Sequence, residues 1–107
     1  MSPVHLSAHP RRTVASLGPG RLEVDLAGAD EPAAFHDQIV AALDFPDHYG
    51  RNLDALWDCL TDLTEPTVLV WRDWQPLAVH HSAWWAKVIR LLTDRAGSPG
   101  FELVLVR

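Results

Sequence analysis

The chain has 107 residues, nearly half of them apolar, and a formal net charge of −5. That length allows one domain with a real but modest core, and the composition is that of a globular protein. The acidic balance argues against direct binding to DNA or RNA, whose phosphates it repels.

Residues 1–20 hold three prolines, two histidines and the pair Arg11-Arg12, and read mostly as a mobile N-terminal extension. Its end is open to a second reading. Thr13–Leu17, the turn Gly18-Pro19-Gly20 and the stretch Arg21–Leu26 have the pattern of a hairpin. The second arm alternates (Leu22, Val24, Leu26) and is expected to be a strand. Asp30, Glu31 and Pro32 open a helix, and Phe35, Ile39, Val40 and Leu43 give it an apolar stripe. The run Asp44–Gly50 ends that helix in a loop, since Pro46 biases Phe45 away from helix and Gly50 supplies a permissive backbone position.

Asn52 is a good N-cap for a second helix, expected over Leu53 to Leu63. Thr67–Trp71 is a continuous apolar run after Pro66, suited to a strand buried on both faces. Ser82 can cap a last helix over Ala83 to Ala96, with a core face of Trp85, Val88, Ile89 and Leu92. Gly97-Ser98-Pro99-Gly100 stops it, and Phe101–Val106 is the final strand. Strands alternating with helices predict an α/β domain with a small, mainly parallel sheet.

The second helix carries an unfavourable feature. Leu53, Leu56, Leu60 and Leu63 mark its buried face, and Asp54, Asp58 and Asp62 stack one turn apart on the other side. Each adjacent like-charge pair costs roughly 0.2–0.5 kcal/mol. Asp54 regains something from the helix dipole, Asp58 gains little, and Asp62 is disfavoured near the C-terminus. No lysine or arginine on this helix offsets them. From Asp44 to Glu65 there are six acids and one base, a balance of −5, while the rest carries eight of each. The acidity is one local patch, which attracts a cationic partner and speeds encounter with it.

Other chemistries fit less well. Asp54 and Asp58 on adjacent turns of an exposed helix would share similar wet environments, whereas an acid–base pair needs different ones. No spacing resembles a zinc site, and His5, His9, His80 and His81 read as surface histidines. No cofactor is expected. Cys59, the lone cysteine, excludes an intramolecular disulfide and suits a reducing cytoplasm. No segment reads as a signal peptide or membrane span, so the expected location is cytoplasmic. Of the five tryptophans, Trp57 borders both the leucine face and the acid stripe, as a core residue or as a contact platform.

The run Tyr49-Gly50-Arg51-Asn52-Leu53-Asp54-Ala55-Leu56-Trp57-Asp58-Cys59-Leu60-Thr61 closely resembles the binding loop and helix of the barstar family of ribonuclease inhibitors. A looser resemblance runs from about Arg21 to Arg107, including Val68–Trp71 as a central strand with a buried tryptophan. It does not cover residues 1–20. The resemblance implies a domain over 21–107 with a three-stranded parallel sheet flanked by helices, plus an extra N-terminal edge strand if the first 20 residues supply one. It also implies a non-enzymatic protein, monomeric when free, that plugs the cationic active site of a small microbial ribonuclease of the extracellular type.

In that reading Asp58 stands in for a substrate phosphate and Asp54 pairs with a second cation. Tyr49, Gly50, Asn52, Leu53 and Trp57 form the rim, Thr61 makes a polar contact one turn on, and Asp94 falls at an acidic contact position. Two positions depart from the family: His48 replaces a tyrosine contact and Leu63 a tryptophan, so the edge of the interface loses aromatic surface. Two alternatives come from other classes. One is an interaction or immunity module of similar fold with a different target, and the other is a small carboxylate-dependent enzyme.

Overall fold

A computed structural model describes residues 4–107. In chain order the elements are β1 (Val4–Ser7), α1 (Pro10–Ser16), β2 (Leu22–Leu26), α2 (Pro32–Leu43), α3 (Leu53–Thr61), β3 (Thr67–Trp71), α4 (Gln75–His80), α5 (Ser82–Ala96) and β4 (Phe101–Val106). The four strands form one parallel sheet in the order β1-β4-β3-β2. In register, Leu22 pairs with Thr67, Thr67 with Phe101, and Val4 with Leu103.

The α/β class and parallel sheet agree with the sequence reading. The strand count does not: among the described residues there are four strands rather than three, and five helices. The fourth strand is at the N-terminal edge, but it is Val4–Ser7 and not the anticipated arm 13–17. That arm belongs to α1, with Pro10 in its first turn. The residues expected to be mostly mobile tail therefore contribute, from Val4 onward, a strand and a helix. Packing overrides local propensity here. Thr13-Val14 alone would suit a strand, yet Val14 and Leu17, on one face of a helical turn, pack against Val68, Val70 and Val104.

β3 is buried along its whole length, as its unbroken apolar run predicts. Its side chains alternate between two cores. Leu69 and Trp71 join Val24, Leu26, Phe35, Ile39, Leu56, Leu60, Leu77, Val88, Leu92, Phe101 and Leu103 in the main core, under α2 to α5. Val68 and Val70 face the other way, under α1. A hydrogen bond between His5 and Glu102 at 2.9 Å and an ion pair between Arg11 and Glu23 hold the N-terminal segment to the sheet, and Arg21 reaches Glu102 at 3.7 Å. Among the described residues no helix is long and apolar enough to cross a membrane.

Candidate functional site

The acid stripe lies on α3, which begins where the N-cap expectation put it. Asn52 is extended, and its side-chain oxygen accepts from the Ala55 amide at 2.8 Å. Its amide group donates back to the Gly50 carbonyl at 3.2 Å. One side chain thus ties the loop to the helix. A Cβ at Gly50 would sit 2.8 Å from the Asn52 Nδ2 atom, so a side chain there would displace the amide group from this bond. Leu56 and Leu60 are fully buried, and Leu53 and Leu63 half-buried. The helix ends at Thr61, two residues before the expected Leu63, with Asp62 as its C-cap.

The loop between α2 and α3 is folded back on the core. Asp44 turns the chain in the left-handed region at the end of α2. Phe45 and Tyr49 are buried with ring centroids 5.2 Å apart. Tyr49, only 6% exposed, departs from its expected place on the rim. Its hydroxyl shares a 2.7 Å hydrogen bond with Nδ1 of buried His36 on α2, so its ring anchors the loop from below. Burial pushes its phenol up to about 12, with the field of Cys59 adding and Arg51 opposing. Burial likewise lowers His36, helped by Arg51 and opposed by Asp37. A loop pinned this way is organised before any partner arrives, which reduces the entropy lost on binding.

His48, Gly50, Asn52, Asp54, Trp57, Asp58, Thr61 and Asp94 are exposed. Trp57 is 38% exposed, the most open of the tryptophans and the one on α3, so it can serve as a contact surface. The Thr61 hydroxyl donates to the Asp58 carbonyl at 2.9 Å. Among the described residues, Asp54, Asp58, Asp62 and Asp94 close no ion pair. The single base of the acidic segment, Arg51, is bound to Asp37 at 2.8 Å.

Two grooves flank α3. One runs along the loop and is lined by His48, Tyr49, Gly50, Asp58, Cys59 and Asp62, with Asp44 at its end. The other lies between α3 and α5 and brings Leu53, Asp54, Trp57 and Asp58 together with Asp94. Asp58 lines both. The structure thus unites Asp94 with the stripe, a placement that spacing alone could not give. Cys59 is held as a thiol: burial raises its pKa first, and the fields of Asp62 and Asp58 raise it further. That opposes a nucleophilic role. Among the described residues no group of three or more His, Cys, Asp or Glu is arranged to hold a metal.

Sequence reasoning missed Arg95. Its side chain is buried, and its Nε donates to the Leu60 carbonyl at the end of α3 at 2.8 Å. It also reaches the Ser98 and Pro99 carbonyls and lies over the Phe101 ring. An arginine near a helix C-terminus gives no sign of serving a different helix. Lys87 and Arg90, which share the second groove, were missed too. Their spacing with Leu91 and Asp94 marks one helix face, but only packing sets that face beside α3.

Comparison with known proteins identifies relatives of this chain. A 41-residue stretch is 56% identical to a protein of Bacillus subtilis (strain 168) named "Putative ribonuclease inhibitor YrdF". The match takes in 37% of this chain and 45% of that protein, so the chain spans under half the length of the relative it matches. The family described as Barstar (barnase inhibitor) matches residues 21–106, which is most of the chain and leaves out β1 and α1. By that match, the chain belongs to the barstar family.

Proposed function

We propose that the chain inhibits a small microbial ribonuclease of the extracellular type by plugging its active site with α3 and the loop before it. One observation carries the reading: Asp58 is exposed on α3, lines the grooves on both flanks, and closes no ion pair among the described residues. A carboxylate offers negative charge and paired acceptor oxygens, as a phosphate does, to the cations that bind RNA in such an enzyme. Asp54 adds a second anion one turn earlier. Trp57, Asn52, Gly50 and His48 form the surrounding contact surface, and Thr61 and Asp94 its polar edges. Tyr49 acts from beneath, by holding the loop. The chain performs no chemistry of its own in this reading, and works as a cytoplasmic monomer.

Family membership supports the class of partner, and the Bacillus relative's name agrees with it. The test is titration of the chain into purified small microbial ribonucleases, barnase among them, while RNA cleavage is followed. Stoichiometric inhibition that Asp58→Ala abolishes is expected. If no member is inhibited, or Asp58→Ala inhibits equally well, the reading fails and a different target has to be sought.

A further inference from the structure

The two flanks of α3 differ in charge. The loop-side groove carries Asp44, Asp58 and Asp62, with no lysine or arginine in its lining. The groove toward α5 carries Asp54, Asp58 and Asp94, but also Lys87 and Arg90. Both cations are exposed, and neither closes an ion pair with these carboxylates or with any other described residue. The floor between them is apolar, formed by Leu53, Trp57 and Leu91. The groove therefore has anions on its α3 wall and mixed charge on its α5 wall.

We infer that Lys87 and Arg90 are specificity-determining residues, which select a ribonuclease carrying a carboxylate on the rim of its cationic active site. The inference rests on the inhibitor reading above and adds the shape of the partner's charge. A partner with cations across its whole docking face would meet Asp58 well and Lys87 and Arg90 badly. Like charges brought together at a desolvating interface are costly, and that cost rejects the wrong partner. A partner with cations opposite the α3 acids and Asp94, and an acid opposite Lys87 and Arg90, meets each charge of the groove with its opposite. The net attraction of the patch still steers encounter, while the two cations fix the register of docking.

The experiment uses Lys87→Glu/Arg90→Glu and the milder Lys87→Gln/Arg90→Gln, with Asp58→Ala in parallel. Each is tested against the same ribonuclease panel, barnase included, with association and dissociation rates measured at low and physiological salt. All positions are exposed, and a urea melt of each variant verifies folding. For the ribonuclease inhibited through Asp58, the double reversal is expected to weaken binding about tenfold through faster dissociation, with the glutamine pair in between. Inhibition that needs Asp58 but is unchanged or tightened by the reversal overturns this inference alone. In the tightened case the two cations merely shield the acids. Absence of any inhibition dependent on Asp58 overturns the inhibitor reading, and this inference with it.

Discussion

Arg95, on α5, donates through Nε to the Leu60 carbonyl on α3 at a distance of 2.8 Å. The bond crosses between two helices and reinforces a carbonyl that otherwise accepts only a long 3.4 Å bond from the Leu63 amide. The guanidinium closes no ion pair among the described residues, and is held by carbonyls and by the Phe101 ring. Arg95→Met keeps the stem and removes these bonds. It is expected to cost about 1.5–3 kcal/mol, the value of a hydrogen bond to a charged group, read as a lower urea midpoint. Inhibition should weaken with it as the end of α3 loosens, and an unchanged midpoint would show that the bond does not support the helix.

Asp58→Ala should separate binding from folding. Against a cognate ribonuclease the loss should exceed about 2 kcal/mol, because the partner's cations are buried without their anion. The free variant should be more stable than wild type, by about 0.5–1 kcal/mol, from helix propensity and relief of repulsion. Lys87 and Arg90 lie in the same groove and keep that gain small. A lower melting midpoint would mean that Asp58 serves the fold.

Asp62 caps α3 at its C-terminal end, where a negative charge opposes the helix dipole. Asp62→Lys is expected to stabilise the free protein by about 0.3–1 kcal/mol at low salt, an effect that salt should reduce. A gain that persists at high salt would point to a cause other than charge.

The His36–Tyr49 pair gives stability two pH limits. Folding lowers the pKa of His36 below its usual 6.5, so the unfolded chain binds its proton more readily. The contribution is complete above 6.5 and is lost as pH falls through the folded value. Tyr49 is raised from 10.0 to about 12, so its contribution is complete below 10 and is lost between 10 and 12. Urea midpoints across pH should bend at both ends. Tyr49→Phe should flatten the alkaline limb, and His36→Gln the acid one.

Deleting residues 1–20 tests whether the segment outside the family match is part of the domain. The deletion uncovers Val68, Val70 and Val104 and leaves β4 as an open sheet edge. A loss on the order of 3 kcal/mol is expected from the apolar surface exposed, together with self-association through the new edge. An unchanged midpoint would return the segment to the status of a tail.

Much of the site is legible in the residues themselves. The leucine period, the Asn52 cap and the aspartate stripe are local signals, and each fixes its own place on α3. The apolar run of β3 is similarly self-sufficient. What escapes is whatever depends on a distant neighbour. The burial of Tyr49 is decided by His36 on another helix, and the anchor of α3 by Arg95. The helix at Pro10–Ser16 is decided by three valines on the far face of the sheet. α4 is too short for a periodic stripe, having Leu77 as its only buried residue.

β4 lies between β1 and β3, with Val4 opposite Leu103. The sheet therefore joins the earliest described strand to the latest, and every pairing in it is parallel, spanning a crossover. Such contacts make for slow folding, because a long loop must close before any of them is gained. On the ribosome, α3 emerges well before Arg95 and β4. The acidic helix is thus synthesised early but acquires its anchor late. On the inhibitor reading proposed above, nascent chains from which Arg95 and β4 have yet to emerge would be poor binders even with α3 and its loop exposed.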